Sequence, residues 1–499
     1  MKKMQSKTLL ALLLAALSAA PAVLSACGES KSTDAETTTG APASEESTAE
    51  ESTSHMPDVP KSDYNGAKFT FLTAGKTDIG ADWETYDVWV ESTNAEPIND
   101  AVYTRNSMIS EHLGVTIQQV KSGEGDTVLA TAQRSVQANS DDYDAIMCGL
   151  GNAVTMAQDG QIYNLNTLPH LDFANEWWDQ KCLAESRILG KVYFATGDIT
   201  VVDNDATWTL MFNKQMITDM NLDVPYELVK NNAWTFDKFR EMIIAGSSDL
   251  DSNGKMNYKK DQFGFVTTQN SANGLFFATG ARLARLDSDF LPTSAIDVEF
   301  FSRVVEKAGE VFADKDHVVD TAKVSVHPSE MRAVFEQGRG LFYGEVMQCI
   351  ARMRNSDTDF GVIPWPKLDE NQTDFYNMMH SNASKCVAVP MTQQDLEMTG
   401  AVLEYMAGAS MYTLTPAYID VCITSKYVRD LESAEMIKLI LDSRVFDLGY
   451  ICGWGGMYSG IVSLITAGKT DVASTISSKQ KAFENAMQKT IEKFESSAS

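Results

Sequence analysis

Residues 143–165 have the sequence YDAIMCGLGNAVTMAQDGQIYNL, and this segment indicates the architecture of the chain. It opens with an apolar run, Ala145 to Cys148, which is typical of a short buried β-strand. Gly149 and Gly151 then form a turn that leads into a helical segment. A strand, a turn and a helix in this order are the repeating unit of α/β proteins.

Similar units precede and follow this segment. Further strands are predicted over residues 68–73, 115–117, 207–213, 340–344, 360–364 and 385–390. A helix is predicted over residues 99–113 because Pro97 lies just before an amphipathic pattern, and Thr235 is a predicted helix N-cap. From about residue 394 the pattern is mostly helical. The alternation predicts an α/β fold with mostly parallel sheets.

Length and charge limit what the chain can be. Without its first 62 residues the chain still has about 437 residues, more than the ~250–300 at which a single core stops growing, so two lobes are expected. The formal net charge is -27. A surface this acidic repels phosphate backbones, which excludes nucleic acid and charge-driven binding to anionic lipid.

The N-terminus has the layout of an export signal. Lys2, Lys3 and Lys7 precede an apolar run over residues 8–20, which is too short for a spanning helix. The sequence Leu-Ser-Ala then ends at Cys27 and resembles the bacterial lipobox, which implies a signal peptide over residues 1–26, cleavage before Cys27 and a lipid on its thiol. The alternative is an ordinary signal with a chance cysteine.

Residues 28–62 consist mainly of Gly, Ser, Thr, Ala, Glu and Pro. Such a segment cannot bury enough apolar surface to offset its chain entropy. We therefore predict that residues 27–62 form a lipidated cysteine followed by a disordered acidic tether.

Six cysteines remain beyond Cys27, an even number that would permit disulfides in an oxidising compartment. Cys148, Cys349, Cys386 and Cys422 nevertheless lie within apolar runs, which favours buried free thiols. No CxxC pair occurs, so zinc ribbons and thioredoxin-like motifs are excluded.

Four features together resemble the extracellular solute-binding proteins of ABC importers, of the family 1 type that is typical for sugars. They are the segment 143–165, the Gly197-Asp198 turn leading to residues 210–214, the FEQGRGLFYG sequence at 335–344 with DFGVIPWP at 359–366, and the lipobox with its tether. The resemblance implies a two-lobed periplasmic-binding-protein-like fold (type II) with a hinge between the lobes. By analogy, lobe 1 holds residues 63–205 and about 367–410, and lobe 2 holds residues 206–366 and about 411–499 with the C-terminal helices.

Candidate ligand-binding residues follow from two arguments. Open α/β sheets bind ligands in loops at the carboxyl ends of their strands, which selects loops 74–78, 149–152, 197–198 and 344–345. The resemblance implies ligand contact by the loop after the third strand and by a carboxylate before the crossing strand. It also implies a contact after Tyr343-Gly344, often aromatic, where this chain departs from the pattern with a glutamate. With aromatic rings for stacking on sugars, the candidates are Lys76, Asn152, Asp198, Trp208, Glu345, Trp365 and Trp454.

Residues 249–261 match the start of a calcium loop. Oxygen side chains occupy positions 1, 3 and 5 and a glycine position 6, but position 12 is Lys260 and Asp261 comes one place late. The candidate ligands of a structural calcium ion are Asp249, Asp251, Asn253, Asn257 and Asp261. The other interpretation is an acidic surface turn.

Signals for an enzyme are weak. The chain has no HExxH motif and no G-x-S-x-G elbow. We therefore predict a monomeric binding protein, with no cofactor except possible calcium, lipid-anchored on the outer face of the cell membrane of a Gram-positive type cell. It would capture a solute, an oligosaccharide by analogy, and deliver it to an ABC permease. The alternative is a cell-surface lipoprotein that binds or hydrolyses glycans without a transporter, and peptides remain possible ligands.

Overall fold

A computed structural model describes residues 56–75, 83–123, 127–353, 355–423 and 431–496. They belong to one compact unit that spans Ser54–Ser499. The predicted signal peptide, the lipidation candidate Cys27 and the ligand candidate Lys76 lie outside the described residues.

The strands are β1 Ala67–Thr73, β2 Val115–Lys121, β3 Ala145–Cys148, β4 Trp208–Asn213, β5 Phe263–Thr267, β6 Ala284–Leu286, β7 Pro292–Ser294, β8 Val318–Asp320, β9 Gly340–Val346, β10 Phe360–Ile363, β11 Asn377–Met378, β12 Cys386–Ala388 and β13 Arg444–Val445. The α-helices are α1 Pro97–Leu113, α2 Val128–Gln137, α3 Leu150–Gln158, α4 Gln180–Ser186, α5 Val202–Asp205, α6 Lys214–Asp219, α7 Pro225–Lys230, α8 Phe236–Ala245, α9 Ser271–Ala278, α10 Val298–Ala313, α11 Thr321–Val324, α12 Pro328–Glu336, α13 Gln348–Arg352, α14 Leu396–Tyr412, α15 Leu414–Ile423, α16 Leu431–Asp442, α17 Leu448–Ile451, α18 Met457–Ala467 and α19 Val472–Ser496.

The first lobe is built on the sheet β12-β3-β1-β2. Strand β1 pairs in parallel with β2 and β3, whereas β12 is antiparallel to β3. The buried side chains of β1 and β3 are almost all apolar, as expected for strands covered by helices on both faces. The predicted strand-turn-helix unit at 143–165 is confirmed by β3 and α3.

The second lobe is built on the sheet β10-β4-β9-β5-β8. Strands β9, β5 and β8 are mutually parallel, and β4 is antiparallel to both of its neighbours. The carboxyl ends of three parallel strands therefore meet at one edge of this sheet. That edge positions the site described below.

Two segments connect the lobes. The chain passes from the first sheet to β4 through residues 195–207 and returns from the second sheet to β12 through residues 379–387. These segments lie side by side, because Ala195 bridges Val387 and Thr207 bridges Met379 in antiparallel fashion. A hydrogen bond from the His380 amide to the Ala206 carbonyl, 2.9 Å long, adds to this connection.

The C-terminal helices contact both lobes. Helix α14 packs on α1 of the first lobe, α18 packs on α10 of the second, and α19 contacts both α3 and α10. The sequence assigned the residues after 411 to the second lobe, whereas the structure shows that they also cover the first.

The predicted tether extends too far. Residues 56–62 have no regular secondary structure, but Pro57 and Val59 are buried. The Val59 carbonyl lies 2.7 Å from His112 Nε2, and the Ser62 amide donates to the His112 carbonyl. Met56, Pro57 and Val59 explain the difference, since they give this part of the segment apolar surface to bury.

The described cysteines Cys148, Cys182, Cys349, Cys386 and Cys452 are free thiols, and all but Cys452 are buried. The expectation of buried thiols is confirmed for Cys148, Cys349 and Cys386. In the described part of the chain, no helix combines the length and apolar character needed to cross a membrane.

Candidate functional site

A cavity of about 790 Å³ opens at the carboxyl ends of β5, β8 and β9. The loop after β5 contributes residues 268–270, and the segment from α11 to the start of α12 contributes several side chains between 321 and 332. The end of β9 and helix α13 supply the floor between Tyr343 and Arg352. This is the location at which open α/β sheets bind ligands.

Three rings line the side of the cavity nearest the first lobe and the connecting segments. Trp208 is the first residue of β4, and His380 lies in the returning segment. The His380 ring centroid is 6.5 Å from that of Trp208, at an interplanar angle of 22°, and 6.1 Å from that of Trp83. Trp83 belongs to the first lobe. The amide of Thr85, two residues later, donates to the carbonyl of Ala74, which directly follows β1 of that lobe. Residues of both lobes therefore face the cavity.

His380 is held neutral by its surroundings. Burial lowers the pKa of its imidazole, and the nearby Lys385 charge also lowers it, against a backbone hydrogen bond that raises it. The ring of Trp83, which is partly exposed beside His380, is a surface on which a sugar face can stack.

Hydroxyl and amide side chains form much of the remaining wall. They are Thr268, Gln269, Asn270, Thr321, Ser325, Ser329 and Gln348. Thr268 Oγ1 and Trp208 Nε1 are buried and have no hydrogen-bond partner among the described residues. An unpaired buried donor is costly, so a polar ligand at this wall would supply missing partners.

Glu345 is the acidic residue of the lining. It lies in β9 opposite Thr209, and its carboxylate accepts a hydrogen bond of 3.1 Å from the Val346 amide. Burial raises the pKa of Glu345 to about 7, although Arg352 and Arg332 lower it. The carboxyl group is thus partly protonated near neutral pH.

The structure brings Trp208 and Glu345 together at the cavity and places the other described candidates elsewhere. Asn152 lies in the first turn of α3, which is covered by the returning segment: the Leu150 amide donates to the Ser381 carbonyl over 2.9 Å. Asn152 is not part of the cavity lining.

Asp198 lies in a separate depression of about 440 Å³ next to Trp177 and Arg444. Gly197 before it has φ +139°, and a Cβ there would lie 2.2 Å from the Trp177 carbonyl oxygen, so only glycine fits this turn. Asp198 accepts a hydrogen bond from Thr415, and burial raises its pKa to about 6. The carboxylate serves the packing of α15 against the turn.

Trp365 and Trp454 are corrections to the predicted site. Trp365 is 0% exposed, and its ring fills space left by Gly274 and Gly344 in the second lobe. Trp454 is 2% exposed, and its Nε1 donates to Thr490 Oγ1 of α19 over 2.9 Å. Neither ring lines the cavity, and each one packs in the core.

Several lining residues were missed by the sequence reasoning, among them Trp83, Thr268, Asn270, Arg332, Arg352 and His380. The apolar run of β5 and the Val-Val-Asp of β8 were the available signals, since the rule for strand ends would then have selected the loops that follow them. No local pattern distinguishes Trp83 or His380.

The calcium-like loop brings its acidic residues together. Carboxylate oxygens of Asp249, Asp251 and Asp261 all lie within 4.8 Å of one another. Asp261, one place late in the sequence, still points into the loop, since it accepts hydrogen bonds from the Leu250 and Asn257 amides. Lys260 donates to Asp251 over 3.1 Å and offsets part of the charge. The residues present therefore fit a hard cation that binds oxygen ligands.

No protein-family model matches the chain, and a search of curated protein sequences gave no match. Solved structures with the same fold do exist. A cyclo/maltodextrin-binding protein complexed with maltotetraose matches with a TM-score of 0.54 at 12% identity, over 87% of this chain and 98% of its own.

Two further solved structures match the fold of this chain over a similar length. A sugar transporter from Rhizobium etli in an open conformation has a TM-score of 0.54 at 13% identity, over 86% of this chain and 99% of its own. An ABC substrate-binding protein from Listeria monocytogenes in complex with cycloalternan has a TM-score of 0.52 at 11% identity, over 86% and 98%. The predicted fold class is confirmed: the chain has the two-lobed α/β fold of the periplasmic binding proteins. Two of the matched structures hold a sugar ligand, maltotetraose and cycloalternan.

Proposed function

We propose that this chain is a receptor that captures a carbohydrate in the cavity between its lobes. The observation that carries the proposal is the cavity wall, where the partly exposed rings of Trp83 and His380 lie with hydroxyl and amide side chains, and Trp208, which is only 2% exposed, stacks on His380. Aromatic faces stack on the C–H surfaces of sugars, and the polar groups bond the hydroxyls. The two connecting segments beside the cavity would allow the lobes to close on the ligand.

The test is a thermal-shift screen of the purified protein against neutral and acidic mono- and oligosaccharides. A ligand at 100 times its dissociation constant adds about 2.7 kcal/mol to the free energy of unfolding, which raises the melting temperature visibly. Trp83→Ala should weaken binding at least tenfold. Trp89→Ala is the matched control, since that ring is 42% exposed and lies outside the cavity lining.

The outcomes separate the candidate functions. A saccharide that raises the melting temperature and is recovered unchanged supports a receptor. A saccharide recovered cleaved would instead establish the glycan-hydrolysing alternative. If no saccharide shifts the melting temperature, or if both tryptophan variants bind equally well, the cavity is not the carbohydrate site.

The anchoring and delivery steps belong to the same proposal. The lipobox-like sequence at Cys27 supports a lipid anchor on the outer face of the membrane, and the fold supports delivery of the solute, by a monomer, to an ABC permease. Metabolic labelling with a clickable fatty acid should mark the protein and fail with Cys27→Ala. Uptake of the identified saccharide should be lost in cells without the protein, and normal uptake there would reject the delivery role.

A further inference from the structure

The charged residues of the cavity have the opposite sign to the protein as a whole. The chain carries 68 acidic and 41 basic residues. Among the described residues that line the cavity, however, the charged side chains are Arg332, Arg352 and Glu345, and the lining includes no Asp or Lys. We propose that the cavity selects a saccharide bearing an acidic group, which Arg332 and Arg352 bind. This inference rests on the proposed function and names the class of ligand for the same site.

Arg332 has bonding capacity to spare. It lies on α12, and its contact with Glu336 one turn later is a loose one, with Nε 3.9 Å from Oε1. Arg332 Nε is buried and makes no hydrogen bond to any described residue. An arginine presents a planar set of donors that matches a carboxylate, sulfate or phosphate group.

The backbone near Arg332 also favours a negatively charged ligand. His327, Pro328 and Ser329, at the start of α12, also line the cavity. The amino end of a helix carries a partial positive charge, which adds to that of Arg332 one turn further along. A negative group in this part of the cavity would meet both.

Glu345 does not cancel the two arginines. Glu345 lines the same cavity as both arginines, whose charges lower the pKa of its carboxyl group, yet burial raises that pKa to about 7. At neutral pH the group is therefore partly uncharged and can donate a hydrogen bond. Asp320, at the end of β8, is occupied: it accepts hydrogen bonds from the Ala322 and Lys323 amides and pairs with Lys323 Nζ at 3.6 Å.

The rest of the cavity indicates a sugar that carries the acidic group and not a small anion alone. A volume of about 790 Å³ falls within the range of sites for organic ligands. The partly exposed rings of Trp83 and His380 would contribute nothing to an inorganic anion. An acidic saccharide uses both the rings and the arginines.

The experiment compares pairs of saccharides that differ only in charge. One pair is a galacturonate trimer and its methyl ester, and the other is a sulfated oligosaccharide and its desulfated form. Affinities are measured by calorimetry on the purified protein and its variants Arg332→Gln, Arg352→Gln and Glu345→Gln. Arg240→Gln is the matched control, because Arg240 lies in the same lobe, is partly exposed and pairs with Glu310 away from the cavity.

We expect the acidic member of at least one pair to bind at least tenfold more tightly than its neutral partner. Charge-assisted hydrogen bonds of about 1.5–3 kcal/mol correspond to a loss of about 10- to 150-fold for each arginine removed. Glu345→Gln should retain the preference, and Arg240→Gln should change nothing. Melting temperatures without ligand identify any variant that fails to fold, and the second arginine variant then decides.

Three results would overturn the inference. If neutral members bind as well as or better than their acidic partners, the charge preference is absent although the receptor function stands. If the acidic preference persists in both arginine variants, the acidic group binds elsewhere. If no member of any pair binds, and the wider saccharide screen is also negative, the proposed function fails together with this inference.

Discussion

Trp83 and Trp454 show how the environment of a residue decides its role. Trp83 is partly buried and lines the cavity, whereas Trp454 is enclosed by α19, with its ring 5.7 Å from that of Phe483 and its Nε1 bonded to Thr490. The sequence alone does not distinguish these two tryptophans. Burial, which depends on distant parts of the chain, separates them.

We expect Trp454→Ala to lower the free energy of unfolding by about 3–5 kcal/mol, because the substitution leaves a cavity under α19 and removes one hydrogen bond to Thr490. Urea denaturation measures the change. Trp89→Ala, an exposed position, should shift the transition far less. Saccharide binding should survive in Trp454→Ala at temperatures where the variant is folded, and a selective loss of binding would return Trp454 to the site.

The predictable part of the site is small, for a physical reason. Glu345 was found because it follows a strongly apolar run whose end could be read from the sequence, and Trp208 because aromatic rings stack on sugars. Arg332 and His380 lie near them only because of the folding of segments far apart in the chain. One sequence without tertiary contacts contains no local sign of that proximity.

At the level of elements, strongly patterned segments were predicted well. The helix expected over 99–113 is observed as Pro97–Leu113, and Thr235 caps α8 by accepting from the Lys238 amide. Strands β5 and β8 were missed because they lack clear turn signals on both sides. Because these two strands were not predicted, the loops that follow them, which form much of the cavity wall, were not among the candidate ligand-binding loops.

The calcium-like loop makes a prediction of its own. We expect calcium at millimolar concentration to raise the melting temperature, since three carboxylates within 4.8 Å repel one another until a cation binds. Asp251→Asn should remove most of this increase. Differential scanning fluorimetry with and without a chelator measures it.

A matched control for the loop is Asp289→Asn, an acidic residue on an exposed turn outside the cluster. The same increase in the wild type, in Asp251→Asn and in the control would show a general salt effect on an acidic protein. No calcium response at all would leave an acidic turn held by its own hydrogen bonds.

The Arg444 side chain of strand β13 forms ion pairs and a hydrogen bond with the connecting segment and with the start of α4. Arg444 pairs with Asp179, the N-cap of α4, and with Asp203 of α5 at 3.0 Å, and it also donates to Asn204 over 2.7 Å. All of these charges are almost fully buried. Removing the cation would leave two carboxylates without their partner.

We therefore expect Arg444→Leu to cost about 3–5 kcal/mol in the free energy of unfolding. Lys438→Leu is the control, because Lys438 forms an exposed pair with Asp442 that contributes at most about 1 kcal/mol. Urea denaturation of both variants gives the comparison. Equal effects of the two substitutions would mean that the buried network contributes no more than a surface pair.

At the scale of the whole molecule, buried carboxyl groups make stability depend on pH. Asp205 is buried between Tyr86 and Tyr418, whose hydroxyls donate to it over 2.8 and 3.0 Å. Burial raises its pKa from 3.8 to about 6 despite these hydrogen bonds. The folded protein thus binds a proton that the unfolded chain releases between about pH 4 and pH 6.

The sign follows from proton linkage. Because the folded state holds more protons in that interval, the free energy of unfolding falls as pH rises from about 4 to 6 and is constant above that range. For Asp205 the decrease is about 2–3 kcal/mol. The net charge of -27 acts in the same direction, since protonation reduces self-repulsion. Urea midpoints at pH 4.5, 6 and 7.5 measure the slope, which Asp205→Asn should flatten. A midpoint that rises with pH would contradict the prediction.

The antiparallel strand β12 also has a consequence for the order in which the chain folds. Cys386 in β12 donates to the carbonyl of Cys148 in β3, 238 positions earlier in the chain. Strands of the second sheet all lie between residues 208 and 363, so that sheet can assemble while the first still lacks its edge. Contacts between such distant segments form slowly, because a long loop must close before they give any stabilisation. During synthesis, the sheet of the lobe that begins first is therefore the one that is completed last.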